Sequence, residues 1–255
     1  MKIRLLGSGT SSGVPRIGND WGNCDPDDPR NRRTRVSAIV ESATTRILID
    51  TGPDLREQLL AANIGDVDAV IWTHDHADHC HGIDDLRQLF HLRGGRPLRG
   101  LARDATMTSL RQRFGYVFHG RDGYPATVEA EPLRDRQRIG DIEVTVADQQ
   151  HGTIASAGLR FEHAGKSIGY ATDFNIMSDG MRALYADLDV WIVDALRHAP
   201  HPTHPTVAQA IEWAKELRAR RTALIHMDQS LDYATLAAEL PPGIEPGHDG
   251  LELIA

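Results

Sequence analysis

Residues 67–79 read VDAVIWTHDHADH, an apolar, β-branched run that passes directly into three histidines and two aspartates within six residues. Val67–Thr73 has the composition of a strand buried on both faces, so its sheet must be covered on either side. Alternate side chains of an extended segment share one side, which puts His74 and His76 together. A turn into helix at Asp78 would swing Asp78 and His79 toward a second point nearby. So many imidazoles and carboxylates at the mouth of a buried strand are costly to pack without a cation to neutralise and order them. This segment alone therefore predicts a covered sheet with a metal-binding rim.

Four further polar residues close apolar runs in the same way. Asp50 ends RILID, His151 follows IEVTVADQQ, Asp173 ends IGYATD and His226 ends TALIH. Strand ends that gather at one rim of a sheet are where sites form. The chain holds 13 His against 2 Cys, a balance suited to nitrogen and oxygen ligands. Cys24 and Cys80 cannot build a disulfide framework, which points to a reducing cytoplasm. MKIRLLGSGTSSG turns polar too soon for a signal peptide, and no apolar run approaches the roughly 18 residues of a membrane span. A formal charge of −8 argues against binding nucleic acid through the whole surface.

The remaining pattern alternates strands and helices. Strands are expected at 2–6, 36–41, 46–50, 142–147, 158–163, 167–172, 190–193, 223–225 and 251–254. Helices are expected at 55–62, 82–92, 104–114, 177–185, 207–220 and 233–240. Two layers of mostly antiparallel sheet with outer helices absorb these elements. Periodicity alone fits a four-layer αβ/βα sandwich and a three-layer α/β fold equally. Residues 115–138 carry few paired signals and are expected to form a long, mobile loop. No linker or repeat divides the chain, so residues 1–255 are expected to form one domain.

His74, His76, Asp78 and His79 make an HxHxDH motif, and His151, Asp173 and His226 follow in order. In this the chain resembles the metallo-β-lactamase superfamily. The opening LLGSGTSSGVPRIG and closing HDGLELI are similar to one branch, which holds the phosphoribosyl cyclic phosphodiesterase of phosphonate breakdown. Pyrroloquinoline-quinone B protein and tRNA 3′-processing enzymes lie beside it. The resemblance implies the α/β, four-layer αβ/βα sandwich with mixed sheets and outer helices. It also implies that His74, His76 and His151 hold one divalent ion, Asp78, His79 and His226 a second, and that Asp173 bridges them, with Zn²⁺ or Mn²⁺ as the metal. Asp50 would orient a histidine from behind, and Asp78 counts among the catalytic residues as well as the ligands. His204, in PTHPT, matches the family's general-acid histidine; His201 and His198 rank behind it, and Asp194 and Arg197 are left without a chosen role.

The implied activity is hydrolysis of a small cyclic phosphodiester. A tRNA 3′-processing nuclease would need a protruding arm and a basic surface, which the sequence does not offer. A role in cofactor biosynthesis, like that of the quinone-pathway protein, is the other alternative, and a homodimer is left open. One departure stands out. Relatives carry a cysteine cluster for a separate structural zinc where this chain keeps only Cys24 and places Gln229 after His226. That zinc is expected to be absent, with Pro and Asp turns shaping the loop at 21–29.

Overall fold

Along most strands, successive apolar side chains serve two different cores. The structure is a computed structural model that describes every residue from Met1 to Ala255. One sheet contains β1 (Lys2–Gly7), β2 (Ser37–Glu41), β3 (Arg46–Ile49), β4 (Ala69–Ile71), β5 (Leu98–Ala102) and β6 (Val128–Pro132). The other contains β7 (Arg136–Ile139), β8 (Ile142–His151), β9 (Ile154–His163), β10 (Lys166–Ala171), β11 (Val190–Asp194), β12 (Arg221–Ile225) and β13 (Ile244–Pro246). The final strand, β14 (Glu252–Ile254), returns to pair with β1.

Ile47 and Ile49 face the space between the sheets while Leu48 faces outward; Val190 and Ile192 face inward while Trp191 and Val193 do not. The outer face of the first sheet is covered by α1 (Leu55–Ala62), α3 (Leu86–Leu92), α4 (Asp104–Arg113) and α5 (Gly115–His119). The second is covered by α6 (Asp179–Tyr185), α7 (Val207–Glu216) and α8 (Tyr233–Glu239). The layers run helix, sheet, sheet, helix, which settles the four-layer sandwich over the three-layer fold.

Two expectations are corrected. The sheets are not mostly antiparallel, because three of the six neighbouring pairs in each are parallel. Parallel neighbours need crossover connections, and the outer helices supply them. Residues 115–138 are not a long loop, since they hold α5, β6 and the start of β7. Both β6 and β7 are edge strands, and VEAEP and RQRI leave much of one face in water, so they lack the apolar run of a buried strand. The parallel strand β5 was also missed; its LRGLA places Gly100 where a side chain would collide with Trp72 and Val128.

The two ends of the chain are joined beside the site rim. The buried Asp249 carboxylate accepts hydrogen bonds from the N–H and hydroxyl of both Ser8 and Thr34, tying the Gly-rich turn after β1 to the C-terminal segment. Loop 21–33 does use Asp turns: Asp25 and Asp28 accept from the N–H groups of Asp27 and Arg30.

Phe161, fully buried on β9, fills the space between the sheets. Phe161→Ala should therefore lower the unfolding free energy by about 3–5 kcal/mol in urea titrations. A loss below about 1 kcal/mol would show that the two sheets do not depend on that contact.

Candidate metal centre

Each sequence-identified site residue lies at the same rim, at or just beyond the C-terminal end of a strand or its following turn. Asp50 follows β3, His74 and His76 follow β4, His151 ends β8, Asp173 follows β10 and His226 follows β12. The chain turns at His76 into the short helix α2 (Ala77–Cys80), which carries Asp78 and His79. The donors gather into three overlapping groups, His74–His76–His151–Asp173, Asp78–His79–His226 and Asp173–Asp194–His204–His226.

Asp173 stands between the first two groups and divides its oxygens. Its Oδ2 lies 3.6 Å from His74 Nε2 and 3.4 Å from His151 Nε2. Its Oδ1 lies 3.2 Å from His79 Nε2 and 3.6 Å from His226 Nε2. Asp78 Oδ2 lies 3.4 Å from His79 Nε2 and 3.6 Å from His226 Nε2. Yet the Nε2 atoms of His74, His79 and His226 are buried without any hydrogen-bond partner. Orphaned buried nitrogens that converge on carboxylates in this way are the donor arrangement a cation would satisfy.

For His74, His79 and His151 a bond on the far side of the ring sets which nitrogen faces inward, whereas His226 has no partner on either nitrogen. His79 Nδ1–H donates to Asp50 Oδ2 at 2.7 Å. Thr73 donates its N–H and hydroxyl to the same carboxylate, and its oxygen accepts from His74 Nδ1–H at 3.1 Å. His151 Nδ1–H donates to the Thr203 carbonyl at 3.1 Å. Each bond places the ring proton on Nδ1 and leaves the Nε2 lone pair facing inward.

Electrostatics sort the rings further. Burial, reinforced by the neighbouring His79, holds His74 neutral, well below its ordinary pKa. Burial also opposes protonation of His226, but Asp173, Asp194 and Asp78 outweigh it and raise the pKa to about 9. The same contest raises His79, which faces Asp173, Asp78 and Asp50. Burial pushes Asp173 up, yet His226, His79 and His74 hold it well below the usual carboxylate range. Without an ion, protons thus stand in for positive charge in the cluster.

Asp50, Asp173 and His226 all have left-handed backbone, with φ of 60°, 51° and 59°. Asp173 is held there by a buried network. Ser156 Oγ–H donates to the Asp173 carbonyl at 2.7 Å, and the Gln149 side-chain amide Nε2 donates to Ser156 Oγ and to the Thr172 carbonyl. Tyr185, from α6, donates to Gln149 Oε1 at 2.8 Å. Sequence reasoning missed this network, because its members are ordinary polar residues that meet only through β8–β9 pairing and helix packing.

His204 sits beside the first two groups. Its Nδ1–H donates to Asp194 Oδ2 at 2.7 Å, its Nε2 lies 4.0 Å from Asp173 Oδ2, and its ring stacks on His226 at 4.5 Å. Asp194 also accepts the Asp173 N–H at 3.1 Å and lies 4.0 Å from His226 Nδ1. The role left unchosen in the sequence is therefore an orienting one, and VWIVD signals it as RILID signals Asp50. Arg197 does not pair with Asp194; it faces Asp228 at 3.8 Å. His198 points away to Glu239 on α8, whereas the His201 ring lies 5.1 Å from that of His204. Cys80 is buried, and that burial pushes its thiol up to about 11, which suits a packed residue rather than a ligand or nucleophile.

Residues 45–227 match the family model of the Beta-lactamase superfamily domain. A crystal structure described as a new diphosphatase from the PhnP family superposes with a TM-score of 0.90 at 36% identity, covering 100% of this chain and 97% of that one. A protein of Porphyromonas gingivalis named octanoyltransferase is 35% identical over 266 residues, covering 100% of this chain and 51% of the relative. A ribonuclease Z of Methanopyrus kandleri is 31% identical over 137 residues, covering 52% of this chain and 46% of the relative. The chain spans about half the length of these two curated relatives, 51% and 46%. Its family match and its full-length likeness to the PhnP-family structure place the chain in the β-lactamase superfamily, with the metallo-β-lactamase fold.

Proposed function

We propose that the chain is a binuclear phosphodiesterase acting on a small phosphodiester, such as a ribose cyclic phosphate or a nucleotide. The observation that supports this most is Asp173, whose two oxygens face two imidazole groups while His204, oriented by Asp194, stands beside it. The donor set fits two divalent ions. His74, His76 and His151 would hold one, Asp78, His79 and His226 the other, and Asp173 would bridge them. Imidazole-rich groups suit Zn²⁺, and the carboxylates also suit Mn²⁺. When bound, such ions polarise a phosphoryl oxygen and offset charge that builds up in displacement at phosphorus.

The chain's own residues supply the rest. Asp173 and Asp78 are held ionised, so they carry negative charge into a site otherwise built largely of imidazole rings. His204 uses Nδ1–H to bond Asp194, which leaves Nε2 to carry the transferable proton. Asp194 fixes the ring and keeps Nε2 aimed at the space beside Asp173. A departing alkoxide would take its proton there. Asn175 donates to the Pro202 carbonyl at 2.7 Å and so anchors the loop that carries His204 to the segment following Asp173.

A second reading is favoured by the likeness to a diphosphatase, namely cleavage of a diphosphate linkage. Its leaving group is a phosphate, which departs without much help from an acid. The ribonuclease Z likeness raises RNA as a third substrate, against which the charge of −8 counts. No helix is long and apolar enough to cross a membrane, in keeping with a proposed cytoplasmic enzyme.

His204→Ala should leave metal content intact and lower kcat on alkyl phosphodiesters by about 10²–10⁴-fold, with far less effect on nitrophenyl esters. Uniform loss across leaving groups, measured in steady-state assays, would remove His204 as the acid. A panel of cyclic ribose phosphates, dinucleoside diphosphates and a tRNA precursor, each with Zn²⁺ and Mn²⁺, separates the three readings by which substrate turns over.

Asp173→Ala should lose most of the bound metal in elemental analysis; retention of both ions would end its bridging role. Metal binding must also displace the protons that His79 and His226 hold at neutral pH. Calorimetry at pH 7.5 in buffers of different ionisation enthalpy should therefore find about two protons released as the metal-free protein is loaded. Zero release would contradict the protonated state of those rings.

A further inference from the structure

Arg33 is among the largest fully buried side chains, with 1% of its surface exposed, and the chemistry described above makes no use of it. It lies under the turn that follows His226. That turn is unusual in pointing its carbonyl oxygens inward, where they need donors. Arg33 donates to the Asp228 carbonyl at 3.1 Å and to the Leu231 carbonyl at 2.6 Å. The Gln229 carbonyl accepts from the Asn23 N–H at 2.9 Å, and the Cys24 thiol lies 3.4 Å from the Gln229 and Leu231 carbonyls. Asn31 Oδ1 accepts at 3.3 Å from the same Nη2 that serves Leu231, and also from the Tyr233 N–H. One planar, permanently charged fork thus joins loop 21–33 to residues 228–233, which no single neutral side chain has donors enough to do.

His226 needs such support. Its backbone is left-handed, and β12 holds it only from the N-terminal side. On the C-terminal side the Met227 N–H bonds to the Ser8 carbonyl, the Met227 carbonyl accepts from the Thr10 N–H and the Asp228 N–H bonds to the Leu196 carbonyl, while Arg33 is the buried side chain that bonds carbonyls at both ends of the 228–231 turn. We propose that Arg33 is a positioning residue for His226, clamping the 228–231 turn so that the imidazole stays in register with Asp78 and His79. The proposal rests on the two-group reading of the metal centre. Because His226 would hold only the second ion in that reading, loss of the clamp weakens one binding event more than the other.

The test is a calorimetric titration of Mn²⁺ into the metal-free full chain, comparing wild type with Arg33→Met and Arg33→Lys. Arg33→Met should weaken one of two binding events by about 10–100-fold, the range seen when support behind a metal ligand is lost, while the other changes little. Arg33→Lys keeps the charge without the fork and should fall between the two. Should Arg33→Met fail to fold, as judged by circular dichroism, Arg33→Lys carries the same comparison. Equal weakening of both events would indicate general structural damage and overturn the proposal, as would unchanged binding. A wild type that takes up only one ion would overturn the two-group reading, and the proposal with it. Turnover is not part of the measurement, so a wrong substrate assignment leaves the outcome readable.

Discussion

One buried carboxylate, Asp173, lies between the inward nitrogens of four imidazoles, two on each of its oxygens. An ionised carboxylate without water is costly to bury, so this contact depends on compensation by the surrounding rings. The fold is arranged to make that contact. His74 and His79 arrive from the first sheet and its following turn, His151 and His226 from the second, and Asp173 closes the seam. The two sheets share one strand plan, antiparallel at the hairpin end and parallel at the helical end. Packing them face to face brings the C-terminal ends of β3, β4, β10, β11 and β12 to one rim.

Much of this was legible because it is local. THDHADH keeps its donors within six residues, and the β-branched runs before Asp50, Asp173 and His226 mark strands whose ends must meet. What was not legible depends on pairing across the chain. Strands β6 and β7 are half in water, so their side chains carry no apolar signature, and only the hydrogen bonds to β5 and β8 make them strands. Arg33 reads in sequence as one of several surface arginines in RNRRTR. Its burial follows from the carbonyls of a turn nearly 200 residues away, with |i−j| of 195 to Asp228. Asp194 had the right sequence position but two eligible partners, and only the return of the 198–205 loop selects His204 over Arg197.

The supporting bonds form two layers of decreasing directness. Asp50 and the Thr203 carbonyl touch the rings themselves and set their tautomers. Thr73 does both, bonding the His74 ring and the Asp50 carboxylate, whereas Ser156, Gln149, Tyr185 and Arg33 touch only the backbone or the orienting groups. The second layer reaches outer helix α6 through Tyr185, so the position of Asp173 is coupled to packing on the far face of its sheet. Ring orientation and helix packing are therefore not independent, and substitutions at the α6 interface bear on the site as well as on stability.

The left-handed residues show why that support is needed. A residue that simply continued β3, β10 or β12 would send its side chain into a sheet face, toward an apolar core. A left-handed step at Asp50, Asp173 and His226 breaks the alternation and turns the side chain along the rim instead. The conformation costs roughly 1–2 kcal/mol per residue without glycine, and aspartate tolerates it better than histidine. Glycine would remove the strain and the function together, since the strained position is the one that must carry the donor. Asp50 and Asp173 recover part of the cost through hydrogen bonds accepted from Thr73 and from Ser156. His226 has no partner on either ring nitrogen, so it depends most on the backbone clamp that follows it and on the cation its lone pair would face.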